Sequence, residues 1–433
     1  MQSQTEKIFD APKELGTGKT VVLGFQHVFA MFGATVLVPI ITGLSVSVTL
    51  FCAGIATLWF HFVTKRKVPI FLGSSFAFLG AFEIVAPKLV NEAGAQVVPN
   101  LEKLPYACGG VVFAGLTYVI IAGLIHIFGV KKVMKLFPPI VTGPMIVLIG
   151  LILAPSAVNN ITALVPTHGA ISVLPAIVAI AVAIICNIWG KGMVKLLPIL
   201  ISIIVAYIVS IPLGLVDFSI MEGRSVVSLP PFATYSPFVG MKFELNAIIT
   251  FVLVALAAVC EHVGDIAAIS ATCNKNYIED PGLIRTLLGD GIGTSIAGMF
   301  GGPANTTYSE NTGVVALTGV CDPVVMEIAA VIAILLSLSP LVDGLINTIP
   351  TPVIGGMSFI LYGMISAVGL RTLVEYKVDF AKSRNVLIAA IIMVSGFAFE
   401  ASPLHIAGLE FKGLATAAIF GILLNFILPG KDE

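Results

Sequence analysis

Residues 305–320 read NTTYSENTGVVALTGV. Pro303 stands just before this stretch, and Asn, Thr, Thr, Tyr and Ser are poor helix formers but fair extended sequence. From Thr312 the residues are small and apolar. Glu310 lies between the two halves, a carboxylate in a chain that is 57% hydrophobic and only 11% charged. Soluble domains carry about 25% charged residues, so most of this surface must face lipid or other apolar helices, as the mean hydropathy of +1.04 also says. Apolar runs long enough to span a bilayer, about 20 residues each, recur at 21–44, 108–128, 139–158, 196–215, 245–270, 324–342, 385–399 and 413–428. The fold class is an all-α polytopic membrane protein of roughly 12 to 14 spans.

The polar segment 1–20 has no apolar core or cleavage site of a secretory signal, so the first span is expected to act as an uncleaved insertion signal. The net charge of −1 gives no case for nucleic-acid binding. Six cysteines (52, 108, 186, 260, 273 and 321) are scattered without zinc or redox spacing. In apolar stretches they behave as small hydrophobes, so neither a disulfide nor a metal is expected, and no cofactor. GTGKT at 16–20 resembles the end of a phosphate-binding loop. The first glycine of that motif would fall at Lys13 and no strand precedes it, so nucleotide drive is not expected. No hydrolase or metalloprotease motif is present, and the chain is not expected to be an enzyme.

Orientation follows from the basic residues, which favour cytoplasmic loops. Lys65-Arg66-Lys67, Lys131, Lys132 and Lys135, Lys191 and Lys195, Arg371, Lys377, Lys382 and Arg384 go inside, with Lys275, Arg285 and both termini. Lys88, Lys103, Arg224, Lys242 and Lys412 go outside. The chain must then cross at VPIFLGSSFAFLGAF (68–82) and again at PANTTYSENTGVVALT (303–318), although both open with poor helix sequence. Broken, part-extended spans survive in a membrane only when buried in protein or lining a cavity. Counting both as crossings gives 14.

The two irregular segments belong to a repeat. Gln26-His27 in GFQHVFAMFGA matches Glu261-His262 in VCEHVGDIAAI at a displacement of 235 residues, and Phe76 falls against Glu310 at 234. PIVTGPM (139–145) resembles TPVIGGM (351–357), and a longer external loop around 86–105 absorbs the difference in spacing. Halves with seven spans each insert with opposite orientation, which makes an inverted repeat and puts a binding site near the midplane.

Ionisable groups at membrane depth are costly and mark function by default. The candidates are Glu261, Asp265, Asp290 and Glu310, with His27 and His262. Glu261 and Asp265 share a helix face at i and i+4. A carboxylate in a low-dielectric cavity can carry a proton across the membrane or accept a short N–H bond from a ligand. Asp290, close to a cytoplasmic helix start, is read as a cap, and both histidines as internal hydrogen-bond partners. Phe76, Phe78 and Tyr308 flank the carboxylates, where a flat aromatic ligand would stack.

ENTGVVALTG (310–319) fits the signature of the nucleobase–ascorbate transporter family, with Glu310, Asn311, Gly313, Thr318 and Gly319 in order. QHVFAMFGATVLVP (26–39), GSSFAF (73–78) and EHVGD (261–265) strengthen the match, and the resemblance runs from about residue 20 to 428. Within the family the chain looks most like its bacterial uracil-permease branch. The resemblance implies 14 spans in two inverted repeats of seven, spans 3 and 10 opening as short strands. It implies a core domain of spans 1–4 (21–136) and 8–11 (244–343), and a gate domain of spans 5–7 (137–243) and 12–14 (344–433), after a cytoplasmic segment 1–20. It further implies proton-coupled uptake and a homodimer in the cell membrane. Glu261 would accept N–H bonds from the base, Glu310 would contact the base and link to the proton, and Asp265 would share in that coupling. The backbones of Phe76 and Ser309 would meet the polar edge, with Ala34, Tyr308 and Tyr362 lining the pocket. Two positions depart from the pattern. Asp265 replaces the histidine common in the uracil branch and is more typical of purine transporters, while Ser309 stands where glycine is common. Glu310 itself favours a pyrimidine over the purine group's glutamine. A purine or xanthine symporter, or an uncoupled facilitator or channel-like pore, is the alternative.

Overall fold

The computed structural model describes residues 16–90, 96–134, 138–240, 242–406, 409–411 and 413–430. Residues 1–15, Lys135 and Lys412, placed by charge above, lie outside them. The chain is mostly helical. Eight helices among the described residues are long and apolar enough to cross a membrane. Seven matter below: α1 (Thr17–Thr42), α2 (Val46–Val63), α4 (Leu104–Phe128), α5 (Pro139–Thr162), α6 (Leu174–Trp189), α8 (Leu245–Thr272) and α12 (Thr351–Glu375). The eighth, α13, covers Ser383–Ala401. Shorter apolar helices stand between them: α3 (Leu79–Val85), α7 (Pro198–Ser210), α9 (Leu283–Met299), α10 (Ser309–Thr318), α11 (Pro323–Ser337) and α14 (Gly413–Ile427). The expected run 324–342 is not one straight helix. It bends by 81° after Ser337 into Pro340–Asn347, where Pro340 removes a helix hydrogen bond.

β1 (Leu72–Ser74) and β4 (Asn305–Thr307) form the centre of the molecule. They pair antiparallel, Gly73 opposite Thr306. Beyond the ladder, Ser75 N–H donates to Ala304 O (2.8 Å) and Tyr308 N–H to Phe71 O (3.0 Å). Each strand leads into a short helix, Phe76–Phe78 and α3 on one side and α10 on the other. The extended part is thus shorter than the sequence reading: it ends at Thr307, and Glu310 lies in the first turn of α10 rather than at a strand end. Two further hairpins stand among the described residues: β2 (Leu89–Val90) with β3 (Gln96–Val98), and β5 (Leu404–Ile406) with β6 (Leu409–Phe411).

Close helix crossings rely on small residues, since without a hydrophobic drive in lipid, van der Waals contact between backbones holds helices together. A Cβ on Gly115 of α4 would lie 2.3 Å from Gly291 O of α9, and one on Gly54 of α2 would lie 2.6 Å from Ala330 O of α11. α5 and α12 cross equally closely at Gly143 and Gly369. Helix partners sort into two sets: α4 with α8 and α9, and α2 with α9 and α11, in one; α5 with α12 and α13, and α6 with α7 and α12, in the other.

The structure overturns the expectation about disulfides. Cys273, just after α8, and Cys321, just before α11, are joined, their Cα atoms 5.8 Å apart. The sequence separation of 48 residues hid the pairing. The other four cysteines are in no disulfide.

Candidate substrate cavity

Helix α8 carries Glu261 and Asp265 one turn apart, and the two carboxylates have different surroundings. Asp265 is bonded inside the protein, accepting from Thr307 Oγ1 (2.5 Å) and Ser309 Oγ (2.7 Å). It thereby ties the β4–α10 junction to α8. Glu261 opens into a cavity of about 240 Å³ whose lining also includes Phe76, Ala77, the backbone stretch Thr306–Glu310 and, from α12, Leu361, Met364 and Ile365. Five of the expected site residues therefore converge: Glu261, Glu310, Phe76, Tyr308 and Ser309. Ala34 lines an adjoining cavity of about 190 Å³, shared with Ser309, Glu310 and Lys195.

Two half-helices begin at the cavity. The N-terminus of α10 follows Tyr308 and that of the Phe76–Phe78 turn follows Ser75, and neither cap residue supplies a side-chain hydrogen bond. Unpaired N–H groups at a helix start carry partial positive charge. They suit the carbonyl oxygens of a ligand, while Glu261 and Glu310 suit its N–H groups. A neutral planar molecule with both on its edge fits this arrangement.

Tyr308 holds the site rather than offering a stacking face. Its hydroxyl donates to Ser74 O (2.7 Å) and accepts from Thr35 Oγ1 (3.2 Å), and Ser74 Oγ donates to Thr35 O (3.0 Å). The ring packs on β1 so tightly that a Cβ on Gly73 would lie 2.4 Å from it. Phe78, also proposed to flank the ligand, is buried and stacks on Phe251 with centroids 6.0 Å apart. Tyr362 is not brought to the cavity: it is 1% exposed, and the lining from α12 comes from its neighbours.

The histidines have internal partners, as expected. Asn311 Nδ2 donates to His27 Nδ1 (3.0 Å) and His27 O (3.2 Å). His262 meets Asp290 through Nδ1 (2.7 Å) and Thr286 through Nε2 (3.0 Å). This corrects the reading of Asp290 as a cap: α9 starts at Leu283, and Asp290 lies fully buried two turns inside it. A buried carboxylate needs a partner, and His262, 28 residues earlier, supplies it. No group of three or more His, Cys, Asp or Glu side chains that could hold a metal occurs among the described residues.

The sequence profile described as "Permease family", that of xanthine and uracil permeases, matches residues 18–404. The chain belongs to that family. It is therefore a multi-pass membrane transporter and not an enzyme. It is 39% identical to the uracil permease of Bacillus caldolyticus over 98% of this chain and 96% of that protein. It is 36% identical to the uracil permease of Escherichia coli K12, covering 94% of this permease chain and 91% of the relative. Among solved structures, the transmembrane domain of the cyanobacterial bicarbonate transporter BicA superposes with a TM-score of 0.64 at 16% identity, over 97% of this chain and 99% of that one. That likeness concerns the fold alone.

Proposed function

We propose that this permease imports uracil together with a proton, by alternating access between a core and a gate domain. The observation that carries the substrate is the pairing of Glu261 and Glu310 with two uncapped half-helix starts in one cavity, in a chain similar throughout to proteins named uracil permeases. Uracil offers two carbonyls and two ring N–H groups on one plane. Its N–H groups go to the carboxylates and its carbonyls to the backbone N–H groups of Phe76 and Ser309. Asp265 is the residue that favoured a purine, but it bonds Thr307 and Ser309 and does not line the cavity. The xanthine alternative thereby loses its main support.

A carboxylate that takes a proton from outside removes a charge from the cavity, and the loaded carrier then closes at lower cost. Glu310 and Glu261 are the proposed proton-linked groups, with Asp265 as their neighbour. The inverted repeat of 14 spans is supported by packing that survives an exchange of each helix with the one seven places on. The α2–α11 crossing corresponds to α9–α4, the α6–α7 pair to α13–α14, and β1–β4 and α5–α12 to themselves. The two sets of packed helices match the proposed core (21–136 and 244–343) and gate (137–243 and 344–433). The proposed sidedness, both termini cytoplasmic, is supported by ion pairs that join loops assigned to one side: Arg66–Glu327 and Lys67–Asp280 inside, Lys103–Glu244 and Arg224–Asp343 outside. The homodimer rests on the resemblance.

Thermal unfolding of the detergent-purified protein tests the substrate. Uracil should raise the midpoint in a concentration-dependent way, xanthine should not, and Glu261→Gln should abolish the shift. Stabilisation by xanthine without uracil would replace the pyrimidine reading by the purine one.

A further inference from the structure

A second and larger cavity, about 370 Å³, opens where the ends of α1, α5 and the start of α12 meet, and it shares no lining residue with the Glu261 cavity. Under the proposed sidedness it faces outward, between core and gate. Small-molecule sites carry a few convergent polar groups in a concave lining. Here those are Lys88, Asn160, Asn347, Tyr235 and Thr351, with Asp343 held by Arg224 at 2.9 Å.

Two of these groups point to a ligand. Lys88 donates one N–H to Ile40 O (2.7 Å), and burial pushes its ammonium down to about 8 against the raising influence of Glu83. A desolvated ammonium gains from an added acceptor oxygen. Asn160 is 9% exposed, and its side-chain amide makes no hydrogen bond among the described residues. The amide borders the open cavity, so its N–H groups and oxygen are available to a ligand. At the start of α12 only the Thr351 N–H adds a donor, since Pro350 and Pro352 have none and Val353 N–H is bonded to Pro350 O (2.9 Å). Besides it, the available donors are the Lys88 ammonium and the Asn160 amide N–H groups. The amide oxygens of Asn160 and Asn347 are acceptors, and the carboxylate is held by Arg224 and Asn347. That set suits a small neutral ring bearing carbonyls and an N–H, and an anion less well, since Asp343 shares the lining.

We propose that this cavity is a second recognition site, where the transported heterocycle docks from outside before it reaches Glu261. Lys88 and the Asn160 amide N–H groups take its carbonyls, and an amide oxygen takes its N–H. The proposal rests on the uracil reading. It accounts for a half-buried lysine and a buried asparagine that the central chemistry does not use.

Sided transport kinetics test it. In right-side-out vesicles, Lys88→Met and Asn160→Ala should each raise the KM for external labelled uracil about five- to tenfold, as loss of one hydrogen bond to a bound ligand does. The maximal inward rate and the half-saturation for exit from preloaded vesicles should stay at wild-type values. The maximal exit rate should fall in proportion to the inward maximal rate over KM, as reversibility of the carrier cycle at zero gradient requires, and Lys88→Arg should restore the external KM. An unchanged external KM in both variants overturns the site. So does a parallel shift of inward and outward half-saturation, which marks a structural role. Wild-type vesicles lacking saturable uracil uptake would instead sink the substrate reading, and this proposal with it.

Discussion

Glu261 and Asp265 lie one turn apart on α8, yet only Glu261 presents its carboxylate to the cavity, because Thr307 and Ser309 occupy both oxygens of Asp265. The difference sets the expected outcomes of substitution. Glu261→Gln and Glu310→Gln should each abolish accumulation of labelled uracil, and wild-type accumulation in both would refute the site. Tyr308→Phe should act by another route. It strips Ser74 O of its donor, and an unsatisfied buried acceptor costs about 1–3 kcal/mol, so the thermal midpoint should fall with Glu261 and Glu310 intact. The carboxylates were legible in the sequence because charge at membrane depth is rare. Their partners were not, since Thr307 and Ser309 reach Asp265 across 42 and 44 residues and Asp290 meets His262 across 28. Periodicity carries no signal at such separations. Tyr362 illustrates the same limit, for an aromatic side chain on an apolar helix shows no preferred face in the sequence.

Strands β1 and β4 are three residues each, and their register rests on close packing as much as on the ladder. Gly73 faces the Tyr308 ring with no room for a methyl group. Gly73→Ala should therefore reduce both stability and uptake strongly, whereas Gly123→Ala, where a Cβ meets nothing within 4 Å, should leave uptake near wild type. Equal uptake by the two variants would show that the strand pair tolerates spreading. Poor helix formers after Pro303 revealed this break in the sequence. Its end did not show, because Ser309 and Glu310 serve equally well as extended residues or as a helix's first turn, where the N-terminal partial charge favours a carboxylate. The bend after Ser337 has a local cause in Pro340, whereas the Cys273–Cys321 link joins residues 48 apart, where sequence carries no pairing signal.

At the scale of the whole molecule, α7 of the proposed gate lies directly on α1 of the proposed core. A Cβ on Gly33 would come within 3.1 Å of both Ile199 Cγ2 and Leu200 N. Alternating access requires this contact to slide. A Gly33→Cys, Leu200→Cys double variant, cross-linked by a mild oxidant, should lose uptake and recover it on reduction; full uptake in the cross-linked state would exclude relative motion of the two domains there. Composition made the membrane class legible from the outset, and the proposed repeat had a signal in a few matched residues. The helix count was harder to read, because α3 and α10 are too short to register as spans by length and composition. The central claim, a carrier that couples uracil to protons, is tested most directly by labelled uracil uptake into proteoliposomes under an imposed inward proton gradient. Saturable accumulation above equilibrium, collapsed by a proton ionophore and absent from Glu310→Gln, is the predicted result. Uptake that stops at equilibrium and ignores both the gradient and the ionophore would contradict it.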